Sequence, residues 1–371
     1  MNNKFKKFLK PLAIPLAAVV IALIVGAVII ALTGSNPLEA YTSLLQGNGI
    51  IPKKSYANFK GQITDFMKFV DYVTPMIFAA LAVCVALRCG LFNIGVSGQM
   101  LIAGFTATVL VGYSGLSAVP AKILVVIIAI VVGALAGSII GFLKYKFNIN
   151  EVVSTIMFNY IFQYVISFLI NTYFVDPVSR QSKIISTESR LTLVDIKLAG
   201  YKMDIPLGII LAIIAVIFVS ILLNKTKLGY ELKAVGYSRN AAYYAGINVG
   251  RSMVIAMIIS GALAGLAGAT LYLGYVGSIQ PKVLADTGYT AIAVSLLGNN
   301  NPYGIIFSSM LISIIENGGT YMKSSAGVET EIASVITGII LIFSASNAFV
   351  KRWLEQRTAN KLLKNESKEV K

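Results

Sequence analysis

Histidine is absent from this 371-residue chain, and cysteine, tryptophan and charged residues are scarce. Without histidine, the commonest general base of enzymes is missing. The two cysteines, Cys84 and Cys89, lie in or beside an apolar run, and two cysteines without histidine provide neither a disulfide scaffold nor a zinc site. No G-x-x-x-x-G-K-[ST] sequence occurs, so the chain lacks a P-loop for ATP. We therefore predict no catalytic constellation, no metal site and no cofactor of the chain's own.

The chain is instead rich in long runs of apolar residues. It is 56% hydrophobic and 13% charged, with a mean hydropathy of +0.78, whereas soluble domains are roughly a quarter charged. This composition predicts an all-α polytopic membrane protein with about ten transmembrane helices. The first run is too long for a signal peptide, so we expect an uncleaved helix there. The ten predicted spans are Leu12–Leu32, Tyr72–Leu87, Ser97–Tyr113, Ile123–Leu143, Glu151–Ile170, Pro206–Leu223, Met253–Tyr275, Asp286–Leu297, Tyr303–Ile315 and Ile332–Phe349.

The formal charge of +15 follows the membrane topology and does not indicate nucleic acid. With ten spans, the side that carries both termini has nineteen Lys/Arg and five acids, and the other side has twelve Lys/Arg and ten acids. By the positive-inside rule, both termini are cytoplasmic. Within a membrane domain of residues 1–350, residues 33–70 and 171–205 are then external polar regions. Residues 224–251 form a cytoplasmic loop, and residues 351–371 form a charged cytoplasmic tail.

The stretch Gly90–Gly104, GLFNIGVSGQMLIAG, separates two apolar runs and is unusual for a membrane helix. It contains four glycines together with Asn93, Ser97 and Gln99. Glycines at this position allow a helix to break, and backbone freed by a break must be buried in protein or line a wet cavity, as in many transport pathways. The alternative is a small-residue seam between packed helices. The residues alone favour neither reading.

The fifth apolar run carries an amide pair. Asn159 and Gln163 are four residues apart, as are Tyr160 and Tyr164, so each pair shares a helix face. Amides are costly against lipid, and we expect their face to point inward, towards either a pathway or an interhelical hydrogen bond. Asn150 precedes Glu151 at the start of this run and is the predicted N-cap.

The loop Asn224–Arg251 is polar, basic and rich in small residues. From Glu231 to Tyr244 it has the residues of a short helix lying along the membrane. Such a helix could enter a cleft on another protein. An ordinary interfacial helix would have the same composition, and the loop alone does not separate these readings.

Five segments in a fixed order carry a resemblance: GLFNIGVSGQM, NEVVSTIMFNY, ELKAVGYSRNAAYYAGI, SGALAGLAGA and AVSLLGNNNPYGIIF. Together they resemble the permease subunits of bacterial ABC importers of the branched-chain amino acid, ribose and simple-sugar class, and within that class the nucleoside-type permeases. The resemblance covers roughly residues 65–350. It implies a type II ABC importer permease fold in the bacterial cytoplasmic membrane. It also implies a second permease subunit, identical or homologous, two cytoplasmic ATPase subunits that use ATP, and a substrate-binding lipoprotein.

The resemblance assigns candidate residues to two sites. The substrate pathway would include Phe92, Asn93, Ser97, Gln99, Asn159, Tyr160, Gln163 and Thr290. The coupling helix for the ATPase would include Glu231, Ala234, Gly236, Arg239, Ala241, Ala242 and Gly246. Ser97 departs from the family pattern, because relatives commonly carry Glu there, and Thr290 stands where many carry Asp.

The predicted spans are almost free of charge, which fits an uncharged polar solute such as a nucleoside. Glu316 is the exception, and we expect it at the external interface, where a carboxylate stays hydrated. Two alternatives remain at this point: a simple-sugar permease, because ribose is common to both solutes, and an ion-coupled secondary transporter. The second alternative usually needs mid-span acids or histidine, which this chain largely lacks.

Overall fold

The described part of the chain is largely helical. The computed structural model describes residues 13–198 and 200–345, so the basic segment Met1–Lys10 and the tail 351–371 lie outside it. Within these ranges there are thirteen α-helices and one two-stranded sheet. They are α1 (Ala13–Leu32), α2 (Pro37–Gly47), α3 (Gln62–Arg88), α4 (Val96–Ala107), α5 (Ala118–Phe147), α6 (Glu151–Leu169), β1 (Thr192–Leu198), β2 (Tyr201–Pro206), α7 (Gly208–Lys225), α8 (Lys227–Tyr237), α9 (Arg239–Tyr244), α10 (Val249–Thr270), α11 (Thr287–Leu297), α12 (Pro302–Ala326) and α13 (Thr330–Ala345).

Five of the described helices are long and apolar enough to cross a membrane: α3, α5, α6, α7 and α10, with α6 and α10 prolonged by π-helical turns to Phe174 and Val276. A sixth candidate is the pair α1 and α2, which bends by 117°. All ten predicted runs overlap a helix, but α4, α11 and α13 are short. Helix α3 begins at Gln62, inside the region predicted to be external and polar.

The all-α prediction needs one correction, because β1 and β2 form an antiparallel hairpin in the second predicted external region. The register is irregular between Leu193 and Ile196. Thr192 donates its hydroxyl to both carboxylate oxygens of Asp71, at 3.0 and 2.9 Å, and Asp71 is only 6% exposed. This bond fastens the hairpin to α3. Alternating residues in a strand this short did not stand out beside the long apolar runs.

Side-chain caps define where several helices begin. Asn150 accepts a hydrogen bond from the Val152 N–H at 2.9 Å, which confirms the predicted N-cap of α6. Asn248 does the same for α10, and Asn301 caps α12, whose first residue is Pro302. These side chains satisfy backbone donors that have no partner in the first helical turn.

Helices α5 and α10 cross at the two copies of the sequence GALAG. The copy at Gly133 and Gly137 lies against the copy at Gly261 and Gly265, and a methyl group added at any of the four would collide with backbone of the facing helix. Membrane helices gain no hydrophobic free energy by leaving lipid for each other, so close backbone contact of this kind is what favours their association.

A belt of exposed apolar side chains surrounds the bundle. On α5 it includes Ile123, Ile127, Val131 and Leu135, each between about half and three-fifths exposed, and α1, α6 and α7 carry similar residues. A soluble protein rarely exposes apolar surface of this extent. The belt is the surface expected to face membrane lipid.

The glycine crossing yields a testable prediction. We expect Gly261→Ala to lower the melting temperature of the purified protein by several degrees, because the added methyl meets the Gly133 carbonyl and overpacking costs about 1–3 kcal/mol. Gly338→Ala, in α13, is the matched control, since nothing lies within 4 Å of a methyl there. Thermal unfolding in detergent, followed by intrinsic fluorescence, measures both. Equal melting temperatures for the two variants would contradict the close crossing.

Candidate functional site

The helical chain breaks between α3 and α4. Residues 91–94 are non-helical, and α4 begins again at Val96. Asn93 lies in this break, 1% exposed. It donates from Nδ2 to Gln99 Oε1 at 3.0 Å and to Ser260 Oγ at 2.9 Å. Ser260 in turn donates to the carbonyl of Ala82 at 2.7 Å. The break is thus tied to α3 and α10 by a chain of buried hydrogen bonds.

Asn159 binds the backbone on both sides of Gly95, within and just after the break. Its Oδ1 accepts from the Gly98 N–H at 2.9 Å, and its Nδ2 donates to the carbonyl of Ile94 at 3.0 Å. Gly98 is the third residue of α4, so its N–H has no partner within the helix. One side-chain amide from α6 therefore satisfies a donor and an acceptor that the break had left unpaired.

Two short helices meet at this point. Ser97, at the start of α4, donates to the carbonyl of Ala285, just before α11, at 2.8 Å. A methyl group at Gly288 would collide with Ser97. Because Ser97 is fully buried, a longer acidic side chain would not fit in this conformation. The same stretch thus contains both a broken helix and a small-residue packing seam.

The eight predicted pathway residues separate into three groups by their exposure. Asn93, Ser97, Gln99 and Asn159 are at most 1% exposed and bonded to one another or to backbone, so they hold the break together. Phe92, Gln163 and Thr290 are half-buried, and Gln163 donates to the carbonyl of Lys282 at 2.6 Å. Tyr160 is 53% exposed on the outside of α6. The structure does not bring the rings of Phe92 and Tyr160 into the polar network.

Glu316 lies within α12, away from both ends of the helix. It is the fifteenth residue of α12, about 21 Å along the helix from Pro302 at 1.5 Å per residue. The hydroxyl of Thr290 donates to Oε1 at 3.2 Å, and that of Tyr72 donates to Oε2 at 3.1 Å. The Tyr72 ring packs edge-on against Tyr275, with centroids 5.3 Å apart. The expected place at the external interface stays a prediction, and the signal in the sequence for this residue was an acid inside an apolar run.

The loop predicted to be cytoplasmic folds into two short helices, α8 and α9, capped by Thr226 and Ser238. The inner side of α8 packs on the rest of the chain through Leu232 and Val235, both at most 1% exposed. Gly236 lies against Gly90 and the carbonyl of Arg88, and a methyl group there would collide with that carbonyl. The loop therefore touches the residues at which the break begins.

The predicted coupling residues are not all on the outer side. Ala242 is 3% exposed, Ala234 and Glu231 are half-buried, and Arg239, Gly236, Ala241 and Gly246 are exposed. Glu231 lies 3.9 Å from Lys227 of its own helix, and Arg239 donates to the carbonyl of Gly90 at 3.4 Å. The outer side also presents tyrosines that sequence reasoning missed, although their density in a polar loop is a visible signal: Tyr230, Tyr237, Tyr243 and Tyr244, between 68% and 90% exposed.

A metal centre does not arise from the described residues, among which no three His, Cys, Asp or Glu side chains are placed to hold an ion. The described geometry offers a broken helix inside the bundle, a carboxylate with tyrosine and threonine partners, and an aromatic surface on α8 and α9 that contacts the break.

Comparison with known proteins matches residues 66–345 to the family described as branched-chain amino acid transport system / permease component. The nucleoside ABC transporter permease NupB of Lactococcus lactis is 34% identical, over 97% of both chains. The guanosine ABC transporter permease NupP of Bacillus subtilis is 36% identical over 95% of this chain and 99% of its own. The glucose ABC transporter permease TsgB13 of Haloferax volcanii is 27% identical over 91% and 88%.

These matches cover more than half of the chain and extend over nearly the whole length of two relatives. They confirm the resemblance read from the five segments, and they make the chain a multi-pass transport component of the bacterial cell membrane rather than an enzyme. The chain belongs to the branched-chain amino acid transport system permease family of ABC transporters.

Proposed function

We propose that the chain is the permease subunit of an ABC importer that moves nucleosides into the cell, driven by ATP hydrolysis on partner subunits. The observation that carries the proposal is similarity over nearly the full length to a nucleoside permease and a guanosine permease. A simple-sugar solute is the second candidate, because a glucose permease is 27% identical. Membership of an ABC transporter family argues against the ion-coupled alternative.

The proposed assembly contains a second permease subunit, two cytoplasmic ATPase subunits and a substrate-binding lipoprotein outside. The ATPase would contact the outer side of α8 and α9, where Tyr237 and Tyr244 are 90% and 87% exposed. Exposed aromatic side chains are the residues most enriched at the energetic centres of protein interfaces. The packing of Gly236 on Gly90 gives this surface a direct mechanical link to the broken helix.

The proposed topology has ten spans of the type II importer kind, with both termini in the cytoplasm. The excess of Lys and Arg on one side supports this orientation. Helices α4 and α11 are short and meet near their N-termini, so each of these two spans would consist of a helix joined to a non-helical segment. Such discontinuous helices lie at the solute sites of many transporters.

Uptake of labelled solutes tests the function. In a strain that lacks this chain, we expect uptake of guanosine, inosine and uridine to fall at least tenfold and ribose uptake to stay within twofold. Supplying the intact chain restores uptake. The reverse result, lost ribose uptake with unchanged nucleoside uptake, would replace the proposal by the sugar reading.

The cytoplasmic surface is tested by Tyr237→Ala combined with Tyr244→Ala. We expect uptake to fall about tenfold or more, since each aromatic contact at the centre of an interface is worth about 2 kcal/mol. Protein abundance in the membrane should not change, because both side chains are free of the chain's own core. Tyr173→Ala, at a 64% exposed tyrosine beyond α6, is the control and should retain full uptake. A double variant as active as this control would show that the ATPase docks elsewhere.

Cysteine labelling tests the orientation. Cys84 and Cys89 are both buried, and replacing them by Ala gives a background for single cysteines. On intact cells, a maleimide that does not cross membranes should label Val178→Cys, a position 91% exposed, and should not label Asn240→Cys in the cytoplasmic loop. After the cells are opened, both should react. Labelling of Asn240→Cys on intact cells would reverse the topology.

A further inference from the structure

The carboxylate of Glu316 has acceptor capacity to spare. Each of its oxygens accepts one hydrogen bond, from Thr290 and from Tyr72, whereas an ionised carboxylate has about four acceptor positions. The side chain is half-buried, so it is not sealed in the core. Among the described residues, no Lys or Arg forms an ion pair with it. A ligand that offers hydrogen-bond donors would therefore meet free oxygen lone pairs here.

The surroundings of Glu316 favour a neutral polar ligand with an apolar face. The Tyr72 hydroxyl contacts the carboxylate, and the Tyr72 ring packs edge-on against Tyr275, which is 37% exposed. Asp286 lies close enough to Glu316 to interact with it electrostatically, and an Asp in place of Thr290 would add a further like charge directly at Oε1. The aromatic rings supply area on which a ligand can stack, and the carboxylate supplies a strong hydrogen-bond acceptor.

Glu316 and its partner Thr290 are connected with the break through α11. Thr290 is on α11, whose first turn packs on Ser97 of α4 through Gly288. The neighbouring Tyr289 receives a hydrogen bond from Asn159 at 3.4 Å. The same short helix thus touches the closed polar network on one side and the carboxylate on the other.

We propose that Glu316 binds the solute in the membrane pathway, and that its carboxylate accepts hydrogen bonds from the vicinal 2′- and 3′-hydroxyls of the ribose of a nucleoside. Two adjacent O–H donors match the two oxygens of one carboxylate, and hydrogen bonds to a charged acceptor are the strong ones. Tyr72 and Thr290 are positioning residues that fix the carboxylate. The proposal rests on the proposed nucleoside function.

The test compares inosine with 2′,3′-dideoxyinosine, which lacks both hydroxyls. The complete transporter is purified through a tag on this chain and reconstituted in liposomes, and uptake of each solute is measured for the intact protein and for Glu316→Gln. We expect the intact transporter to prefer inosine by at least about tenfold, as loss of hydrogen bonds to a charged group requires. In Glu316→Gln, inosine uptake should fall about tenfold while dideoxyinosine uptake stays within twofold. The lipoprotein is the same in both transporters, so any preference for inosine that it imposes cancels when the two are compared.

Thr290→Val is the matched variant, since it removes one hydrogen bond to the same carboxylate and keeps the charge. It should retain at least half of the preference for inosine. If Glu316→Gln does not reach the membrane, Glu316→Asp replaces it. That variant keeps the acceptor on a shorter side chain and should show an intermediate preference. An unchanged preference in the variant used would overturn the proposal.

Guanosine separates the diol from the base, because guanosine differs from inosine only by the 2-amino donor. If Glu316→Gln abolishes a difference between guanosine and inosine but keeps the preference for the diol, the carboxylate reads the base and the proposal is wrong. Failure of the proposed function is distinguishable: the intact transporter would then move no nucleoside. An intact transporter that moves nucleosides without any preference for the diol overturns only the role of Glu316.

Discussion

The bidentate contact of Asn159 with the backbone of the break is the interaction on which the interior of this permease depends. A helix that stops and restarts within a membrane leaves N–H and C=O groups without partners, and hydrocarbon provides none. Asn159 supplies an acceptor to Gly98 and a donor to Ile94, and Asn93 links the same segment to Ser260. With these bonds in place, a polar and glycine-rich stretch can lie in the bundle at less than 2% exposure of its side-chain amides.

The break contacts the loop of α8 and α9 at Gly90. Gly90 begins the break with a positive φ of 69° and touches Gly236, while Arg239 donates to the carbonyl of the same Gly90. When two backbones are in direct contact, a displacement of one also displaces the other, because close-packed protein is hard to compress. In the proposed assembly, a force applied by the ATPase to α8 and α9 would therefore reach the start of the broken helix first.

The polar groups of the interior differ in whether their hydrogen-bonding capacity is used within the chain. Asn93, Gln99, Ser97 and Asn159 use their hydrogen-bonding capacity on each other and on backbone, which makes them structural in this conformation. Glu316 does not, and its partners Thr290 and Tyr72 leave acceptor positions unused. Because Thr290 is neutral, no second carboxylate faces Glu316 at this hydrogen-bonding distance.

By itself, the sequence determined the class of the protein, most of its helices and its family. Apolar runs, scarce charge and one-sided Lys and Arg are local properties, and membrane insertion depends on such properties directly. The break near Gly90, the N-cap at Asn150 and the helix in the cytoplasmic loop were visible for the same reason. Only the tertiary structure decided which polar groups are free. Whether Asn93 and Asn159 face a solute or a backbone, whether Gly236 faces an ATPase or Gly90, and whether Glu316 meets water or Tyr72 depends on contacts between residues far apart in the chain, and no local pattern encodes those distances.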